Sequence, residues 1–465
     1  MRLEEVAHAK FVILGAARSG VAAAKLLKRR GADVVIADEK AVCAATATLN
    51  ELDAVDVRSF WGERGIESLA GRTVMVKSPG IPQGNAVVTE ARRRGIRVIS
   101  EIEFASAFVS PAARIVAITG TNGKTTTTAW IAHILQAAGF NAVLAGNIGD
   151  AWSNSADLPQ NQTDRTVFVV ECSSFQLEDI EHFHPHIALL TNFSPDHMDR
   201  YDDDLAKYAA AKRNILKNMT VQDVFVLNAD DEASRGFGSD CPAQVWRFGR
   251  SNPELIKGPG AFTLNGDISL RTGPDHSHPI LPAAQMPVPG GHNLENALAA
   301  AVASHLAGAS DQAIREGLLT FKGVEHRIEL CGVRADGVRF YNDSKATNLD
   351  AMEKALKAFE KPIIVIAGGR DAHSDYTSIN DLVQRYVKRL ITIGEAAPLI
   401  ESAWSELVPT HRADSMADAV RRAAEAADPN DIIVLSPACK SFDMYNNFEE
   451  RGRDFKQCVQ SVLNE

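Results

Sequence analysis

The chain has 465 residues, of which 45% are hydrophobic and 23% are charged, and these proportions are typical of a globular protein with more than one domain. The formal net charge of -10 argues against nonspecific binding to nucleic acid or to a membrane surface, although local donors can still hold a phosphate. The six cysteines include no C-x-x-C pair, and no stretch has the pattern of a signal peptide or of a membrane-spanning helix. We expect a cytoplasmic protein that neither inserts into a membrane nor binds nucleic acid.

The first predicted domain spans residues 1–110 and alternates strands with helices. Apolar strand patterns occur in KFVILG, ADVVIAD and RTVMVKSPG, and helical patterns such as VVTEARRRG lie between them. This alternation predicts a Rossmann-like parallel sheet with helices on its faces. The turn GAARSG at 15–20 resembles a dinucleotide-binding fingerprint, but Ala17 replaces its second glycine, which favours a strand-to-helix turn without NAD. Asp38 ends the next strand, where it could bind a sugar diol or be a solvated strand end.

The second and third predicted domains span residues 111–322 and 323–465, with a hinge expected at Ser110-Pro111. The second carries buried strands at TVFVVE, HIALLTN and DVFVLN, a polar loop-rich stretch from about 232 to 290, and the helix HNLENALAAAVASHLAG. The third begins with a hairpin whose turn is Asp336-Gly337, followed by buried strands in KPIIVIAGG, RLITIG and DIIVLSPA. We therefore predict an α/β protein with a central P-loop ATPase-like domain, whose sheet is mostly parallel, and a Rossmann-like C-terminal domain.

A short phosphate loop opens the second domain. The sequence VAITGTNGKTTTTAW is typical of a strand, a glycine-rich loop and a helix that begins near Lys124. Backbone N–H groups and a helix N-terminus attract phosphate to such a point, Lys124 can reach the β and γ phosphates, and Thr125 can offer its hydroxyl to Mg2+. Only two residues separate Gly120 from Gly123, fewer than in the usual pattern. The flanking strand and helix nevertheless favour a nucleoside triphosphate site over a glycine turn with a surface lysine.

Acidic and basic side chains follow the strands that neighbour this loop. Glu171 ends TVFVVE, and Asp196 and His197 come after HIALLTN. Ligands of open α/β sheets bind outside the carboxyl ends of the strands, and Mg2+ prefers oxygen ligands. Glu171 is therefore a candidate metal ligand. A histidine is unusual at a Mg2+ site, so the presence of His197 beside Glu171 makes it a candidate site residue as well. Lys212 shares a helix with Lys207, where solvation is the usual fate of a lysine and only a partner cluster would give it a role.

Five polar residues outside the phosphate loop are further candidates. The run NDSKATN follows the hairpin, and its Asp343 and Lys345 could hold ribose hydroxyls and phosphate. Arg327 has a planar guanidinium that suits phosphate. Asn293 and Asn296 in HNLEN carry amides that could bind a base or a phosphate-linked water. Taken singly, each of these residues is more simply explained as structural.

Taken together, these motifs resemble those of the Mur ligases along essentially the whole chain. Their order and spacing fit for GAARSG and SPGI, then GTNGKTT, GNIG, ECSSFQLE, TNFSPDHMDRY, AAKRNI and HNLEN, and finally HRIE, NDSKATN and LSPACKSFDMYNNFEERG. The short phosphate loop is typical of this family. The runs SSFQLE and DHMDRY favour the branch of the family that adds D-glutamate.

The resemblance implies an ATP-dependent ligase that adds D-glutamate to UDP-N-acetylmuramoyl-L-alanine during peptidoglycan precursor synthesis. ATP would phosphorylate the substrate carboxylate, and the amine of the amino acid would attack the resulting acyl phosphate, giving an amide, ADP and phosphate. Such chemistry depends mainly on positioning and charge neutralisation. The resemblance also implies two Mg2+ sites, and we expect a monomer whose partners are these small molecules.

The resemblance assigns roles residue by residue. The implied catalytic residues are Lys124, His197, Lys212 and Asn147. The implied ATP-binding residues are Gly120, Thr121, Asn122, Gly123, Lys124, Thr125, Thr126, Asn293, Asn296, Arg327, Asp343 and Lys345. The implied metal ligands are Thr125, Glu171, His197 and, as a carbamate formed with carbon dioxide, Lys212. The implied substrate-binding residues are Arg18, Ser19, Asp38, Glu39, Lys40, Ser78, Gly80, Asn147, Ser173, Gln176, Thr347, Ser441 and Phe448.

One position departs from the family pattern. In the family, a lysine that soon follows the GG pair of the third domain holds the carboxylate of the amino acid. Here the run is GGRDAH at 368–373, with Ala372 in that place. Arg370 or His373 could supply the positive charge, or Thr347 and Ser441 could donate from their hydroxyls. The remainder of the pocket matches the D-glutamate branch, so D-glutamate remains the predicted amino acid.

Two alternatives remain open. Another ATP-dependent amide ligase, either a sister Mur ligase or a protein like folylpolyglutamate synthetase, would differ in its first domain and in its amino-acid-selecting residues. A nucleotide-binding regulator without enzymatic activity would belong to a different class. The joint presence of Glu171, His197 and Lys212 argues against this second alternative.

Overall fold

The structure, a computed structural model, describes residues 1–40, 46–250, 256, 258–273, 276–288, 290–359, 361–371 and 374–464. The chain divides into two compact units: the first comprises Met1–Gln285 with Glu295–Leu319, and the second comprises Met286–Leu294 with Thr320–Glu465. Two sheets lie in the first unit and one in the second. The α/β fold is confirmed, whereas the domain boundaries at 110/111 and 322/323 stay predictions.

The first sheet is parallel throughout and has the order β3-β2-β1-β4-β5. Its strands are β1 (Lys10–Leu14), β2 (Asp33–Asp38), β3 (Arg58–Trp61), β4 (Val74–Lys77) and β5 (Arg97–Ser100). The helices of this region are α1 (Leu3–Val6), α2 (Arg18–Arg29), α3 (Thr46–Asp53), α4 (Ala86–Arg93) and α5 (Glu101–Ser106). The predicted Rossmann-like alternation is therefore confirmed.

The second sheet has nine strands in the order β14-β13-β12-β11-β10-β9-β6-β8-β7. They are β6 (Arg114–Thr119), β7 (Asn141–Gly146), β8 (Thr166–Glu171), β9 (Ile187–Leu190), β10 (Val224–Asn228), β11 (Gln244–Gly249), β12 (Gly260–Leu264), β13 (Asp267–Gly273) and β14 (His276–Pro282). The helices that follow β6 in the chain are α6 (Lys124–Ala137), α7 (Ser174–Leu177), α8 (Leu205–Arg213), α9 (Gly291–Leu306) and α10 (Asp311–Thr320). Strands β9, β6 and β8 are parallel neighbours, so the loops that follow them lie at one edge of the sheet.

The prediction of loop-rich sequence from about 232 to 290 was wrong, because this stretch contains four strands, β11 to β14. Their polar outward residues and the frequent Gly and Pro hide the alternation of a half-exposed sheet edge. One signal was available: Asn265 and Gly266, with φ of 53° and 87°, join the antiparallel strands β12 and β13. An Asn-Gly pair with positive φ at both residues is the preferred two-residue hairpin turn.

The third sheet has the order β15-β16-β20-β17-β18-β19. Its strands are β15 (Glu329–Val333), β16 (Arg339–Asn342), β17 (Ile363–Gly368), β18 (Val387–Ile393), β19 (Thr410–Arg412) and β20 (Ile432–Leu435), with helices α11 (Leu349–Leu356), α12 (Asn380–Tyr386), α13 (Ala397–Trp404), α14 (Met416–Glu425) and α15 (Phe448–Asn464). Strands β15 and β16 are antiparallel, and the other neighbours are parallel. The predicted hairpin is confirmed at Asp336-Gly337, where the N–H of Gly337 donates to the carbonyl of Arg334 at 2.9 Å.

The described part of the chain contains no helix that combines the length and the apolar character needed to cross a membrane.

Candidate active site

The phosphate loop joins β6 to α6 and requires glycine at both of its ends. Gly120 has φ of 144° and Gly123 has φ of 80°. A Cβ on Gly120 would lie 1.9 Å from Thr191 Oγ1, and one on Gly123 would lie 2.4 Å from Asn296 Oδ1. Helix α6 begins directly after Gly123, at Lys124. The first-turn N–H groups of a helix have no partner within that helix, so this loop presents donors suited to a phosphate.

Residues after the neighbouring strand β9 hold the loop in this shape. Thr191 Oγ1 donates to the carbonyl of Asn122 at 2.6 Å, and Asn192 Oδ1 accepts from the N–H of Asn122 at 2.9 Å. Thr121 Oγ1 donates to the carbonyl of Ser194 at 3.0 Å. The sequence analysis assigned no role to Thr191 or Asn192. Both residues could have been found from their position at the end of the strand pattern HIALLTN, which precedes other candidate site residues.

Two lysines meet at the carbonyl of Gly120. Lys124 Nζ donates to it at 2.9 Å and to the carbonyl of Thr121 at 2.7 Å, and Lys212 Nζ donates to it at 2.6 Å. Lys212 is only 1% exposed and its Nζ lies 4.6 Å from the centroid of the Tyr208 ring. Burial, followed by the nearby Lys124 charge, lowers the pKa of Lys212 to about 6. Its amine is therefore largely neutral and nucleophilic at neutral pH.

Glu171 ends β8 at the same edge of the sheet and is 2% exposed. Asn147 Nδ2 donates to its Oε1 at 2.9 Å, so the structure brings these two predicted site residues together. Glu171 Oε2 is buried and makes no hydrogen bond with any described residue. A buried carboxylate oxygen of this kind needs a cation or a donor. The residues present therefore fit a Mg2+ ion, which takes oxygen ligands.

His197 stands in the loop after β9, with its side chain half exposed. It adopts φ of 53°, in the left-handed region that is uncommon outside glycine. Its Nε2 lies 3.4 Å from Asp196 Oδ2, and its ring centroid lies 4.9 Å from that of Phe175. Ser173 and Gln176 form a capping box at the start of α7, in which Gln176 Oε1 accepts from the N–H of Ser173 at 3.0 Å. Gln176 thus supports the helix start beside Glu171.

The carboxyl edge of the first sheet brings together the predicted nucleotide-sugar residues. Asp38 Oδ2 accepts from the N–H of Ala16 at 2.7 Å, and Asp38 Oδ1 accepts from the N–H of Lys40 at 2.9 Å. Ser78 Oγ donates to the carbonyl of Gly15 at 3.2 Å. The remaining members of this group are partly or fully exposed: Arg18, Ser19, Glu39 and Gly80. Asp38 therefore ties two of the predicted segments to each other.

In the second unit, Asp343 is buried directly after β16. Its Oδ2 accepts from Ser436 Oγ at 3.1 Å and its Oδ1 from the N–H of Ile328 at 3.3 Å. Burial raises the pKa of Asp343 to about 7. Lys345 is exposed, and its Nζ lies 5.8 Å from the centroid of the Phe448 ring.

The other predicted residues of the α9 and C-terminal segments differ in their exposure. Arg327 and Thr347 are partly exposed, whereas Ser441 is buried. Asn293 and Asn296 are both buried on α9, and Asn296 Oδ1 accepts from Thr127 Oγ1 at 3.2 Å.

A buried arginine that the sequence analysis missed connects the loops of the third sheet. Arg451 on α15 is 2% exposed, and its guanidinium donates to the carbonyls of Ser344 at 2.8 Å, Cys439 at 3.1 Å and Gly368 at 3.5 Å. Ser344 and Cys439 lie in the loops after β16 and β20, and Gly368 is the last residue of β17. Burial lowers the pKa of Arg451 to about 10, so the side chain remains charged at neutral pH.

The departure from the family pattern is described only in part. Arg370 makes an ion pair with Glu395 through two N–O distances of 3.1 Å. Arg370, which the sequence analysis offered as a substitute cation, is therefore already paired with a carboxylate in this structure. Ala372 and His373 lie outside the described residues, so the role suggested for His373 stays a prediction.

The fold and the site define a nucleotide-binding α/β protein with a phosphate loop and a carboxylate suited to a metal. Three family models match the chain: "Mur ligase MurD-like, N-terminal domain" at residues 9–100, "Mur ligase middle domain" at 118–304 and "Mur ligase, glutamate ligase domain" at 326–439. The chain belongs to the Mur ligase family, whose members are ATP-dependent.

Two relatives that match this chain along nearly its whole length share one name. A UDP-N-acetylmuramoylalanine–D-glutamate ligase from Salinibacter ruber is 42% identical and covers 100% of both chains. A ligase of the same name from Acidobacterium capsulatum is 39% identical over 98% of this chain and 97% of its own length. Among solved structures, UDP-N-acetylmuramate-alanine ligase from Thermotoga maritima matches with a TM-score of 0.59 and 18% identity, over 98% of this chain and 100% of its own. That likeness supports the fold.

Proposed function

We propose that this chain joins D-glutamate to UDP-N-acetylmuramoyl-L-alanine through an acyl phosphate, with cleavage of ATP to ADP and phosphate, in cytoplasmic peptidoglycan precursor synthesis. The shared name of the full-length relatives supports the two substrates. The observation that carries the chemistry is the meeting of Lys124 and Lys212 at the phosphate loop. The described cysteines are all free, which fits a reducing compartment.

The chain's own residues would act mainly by positioning and by neutralising charge. Lys124, now on the carbonyls of its own loop, would turn to the phosphates and balance the charge that develops during transfer. The first-turn N–H groups of α6 would orient the same phosphates. Asn147 would hold Glu171 in place through the 2.9 Å hydrogen bond. The substrate carboxylate would take the γ-phosphoryl group of ATP, and ADP would leave. The amine of D-glutamate would then attack the carbonyl carbon of this acyl phosphate and lose a proton, and phosphate would leave as the amide forms.

Thr125 would hold the Mg2+ that accompanies ATP, and Glu171 and His197 would hold a second Mg2+. Bound there, these ions would supply neutralisation of negative charge. We further propose that Lys212 is carbamylated. Its neutral amine would form an N–C bond to carbon dioxide and lose one proton, leaving an anionic carbamate. The low pKa and the burial of Lys212 support this reaction. The carbamate would supply an additional oxygen ligand.

In this proposal each predicted domain binds a different substrate. Residues 1–110 would bind the UDP-sugar through the 15–20 turn, Asp38–Lys40 and Ser78–Gly80, residues 111–322 would bind ATP, and residues 323–465 would bind D-glutamate. Contacts of Arg327, Asp343 and Lys345 with ATP, and of Thr347, Ser441 and Phe448 with D-glutamate, stay predictions.

The test is phosphate release with ATP, Mg2+, UDP-N-acetylmuramoyl-L-alanine and a panel of amino acids. We expect release with D-glutamate, and little or none with L-glutamate, L-alanine, L-lysine or meso-diaminopimelate. Omission of the nucleotide sugar is the control for ATP hydrolysis without ligation. Preference for another amino acid would overturn the D-glutamate assignment, and activity with a folate acceptor would overturn the family branch.

A further inference from the structure

A charge network centred on Arg200 joins the two sheets of the first unit. Arg200 lies in the short 3-10 turn Met198–Tyr201, and its side chain is 12% exposed. Its Nη1 donates to the carbonyl of Pro79 at 3.3 Å, and its Nη2 donates to that of Ile81 at 3.2 Å. These two carbonyls flank Gly80. The guanidinium therefore holds both sides of a turn that the proposed function assigns to the nucleotide sugar.

The same guanidinium is fixed by Glu178 and Phe175. Nη2 lies 3.0 Å from Glu178 Oε2, and the guanidinium carbon lies 3.9 Å from the centroid of the Phe175 ring. Burial raises the pKa of Glu178, but hydrogen bonds from Arg200 and Gln83 outweigh burial and the net shift is downward. The carboxylate therefore stays ionised at neutral pH, and the charge-assisted hydrogen bonds persist.

The far side of this network reaches His197. The Phe175 ring, over which the Arg200 guanidinium packs, also contacts the His197 ring, with centroids 4.9 Å apart. The turn that contains Arg200 is bracketed by His197 and Asp202, whose φ values are 53° and 55°. Such backbone conformations persist only where the surroundings fix them. Arg200 and the hydroxyl of Tyr201, which donates to Glu178 at 2.9 Å, anchor this turn.

We propose that Arg200 is a positioning residue that couples the turn containing Gly80 to His197. The inference rests on the proposed function, which assigns that turn to the nucleotide sugar and His197 to the metal. A nucleotide sugar that orders the turn would fix the two carbonyls that Arg200 holds. The guanidinium would in turn fix Phe175 and the turn after His197. Binding of the nucleotide sugar and completion of the metal site would then be linked through one side chain.

Arg200→Lys tests the coupling, with Arg92→Lys as the matched control. A lysine keeps the charge beside Glu178 but lacks the planar fork that reaches two carbonyls and stacks on a ring. Arg92 belongs to the edge of the same network, where its Nη2 pairs with Asp179 at 3.0 Å and its side chain is 45% exposed.

In Arg200→Lys we expect the KM for UDP-N-acetylmuramoyl-L-alanine and the half-saturating Mg2+ concentration each to rise by about tenfold, because small misplacements of reacting groups have large kinetic effects. The KM for ATP and the Tm should stay near their wild-type values. Arg92→Lys should leave all four quantities within about twofold or a few degrees. A purely structural role would lower Tm and kcat without this split, and that result would overturn the proposal.

Hydrogen exchange tests the same coupling without any turnover. We expect faster exchange in Arg200→Lys at residues 78–83 and 196–203, with 120–128 unchanged. Unchanged exchange in the first two segments, or an equal effect of Arg92→Lys, would overturn the coupling. Should wild type release no phosphate with D-glutamate, the proposed function fails and the exchange pattern alone decides the coupling.

Discussion

Two lysines of the first unit are equally buried but differ in the groups that contact their amines. Lys77 and Lys212 are each 1% exposed. Lys77 Nζ lies 3.0 Å from Asp179 and 3.7 Å from Glu178, and it also donates to the carbonyl of Ile81. Lys212 Nζ instead donates to one backbone carbonyl, lies over an aromatic ring and is close to the charge of Lys124.

The difference separates a lysine held in buried ion pairs from one for which we propose a chemical role. Buried charges are stable when paired, and an unpaired buried amine gives up its proton instead. Lys77 makes ion pairs with Glu178 and Asp179 between the two sheets, whereas the environment of Lys212 favours a neutral amine beside the phosphate loop. Burial alone would not have distinguished the two. The partners of each side chain decide its role.

The largest effect is expected at the phosphate loop itself. Lys124→Ala removes the charge that would balance the transferring phosphate, and loss of one such contact commonly lowers the rate by about 10²-fold or more. Phosphate release at saturating ATP is the measurement, and the thermal midpoint is the check on folding. Near-normal turnover in this variant would mean that the loop does not serve phosphoryl transfer.

Lys212→Met should lower activity by about 10²-fold or more while leaving the free energy of unfolding unchanged or slightly higher, because the buried amine is replaced by an apolar side chain of similar length. Activity and urea denaturation measured on the same preparation check both parts. Lys207→Met is the matched control, since Lys207 lies on the same helix, is exposed and pairs with Asp202 at 2.7 Å. Full activity of Lys212→Met would rule out the carbamate.

Lys77→Met should show the reverse pattern, with a lower free energy of unfolding and little loss of activity. It leaves Asp179, 6% exposed on its side chain, without its buried partner. Breaking a buried pair typically costs about 3–5 kcal/mol, and we expect about 3 kcal/mol because Arg92 and Gln83 still donate to Asp179. Denaturant unfolding measures the loss. A stability equal to that of wild type would show that this buried pair contributes nothing and would remove the contrast with Lys212.

The last expected effect is a pH slope, which is small for each pH unit. The pKa of Lys212 falls from 10.5 to about 6 in the folded state, so between these values the unfolded chain binds more protons. The contribution of Lys212 to the free energy of unfolding should then rise with pH from about 6 to 10, by about 1 kcal/mol per unit. Comparison of wild type with Lys212→Met in buffer free of carbon dioxide isolates this slope. Parallel pH profiles would contradict the shifted pKa.

The sequence predicted those parts of the site that depend on local order. A strand, a glycine-rich loop and a helix in succession identified the phosphate loop, and the place of Glu171 at a strand end brought it to the same edge. The contacts of Arg200 with Pro79 and Ile81, and of Arg451 with Ser344, were missed because they join residues 121, 119 and 107 positions apart. Local sequence pattern carries no record of such pairing. The strands β11 to β14 were missed for a different reason, since their polar faces conceal the alternation.

The most direct test of the account follows the carboxylate oxygens of the nucleotide sugar. UDP-N-acetylmuramoyl-L-alanine labelled with 18O in both carboxylate oxygens is incubated with ATP, Mg2+ and D-glutamate, and the released phosphate is analysed by mass spectrometry. The account predicts one 18O atom in each phosphate, because one carboxylate oxygen leaves with the phosphoryl group and the other remains in the amide. Unlabelled phosphate, or labelled phosphate that forms equally well without D-glutamate, would contradict ligation through an acyl phosphate.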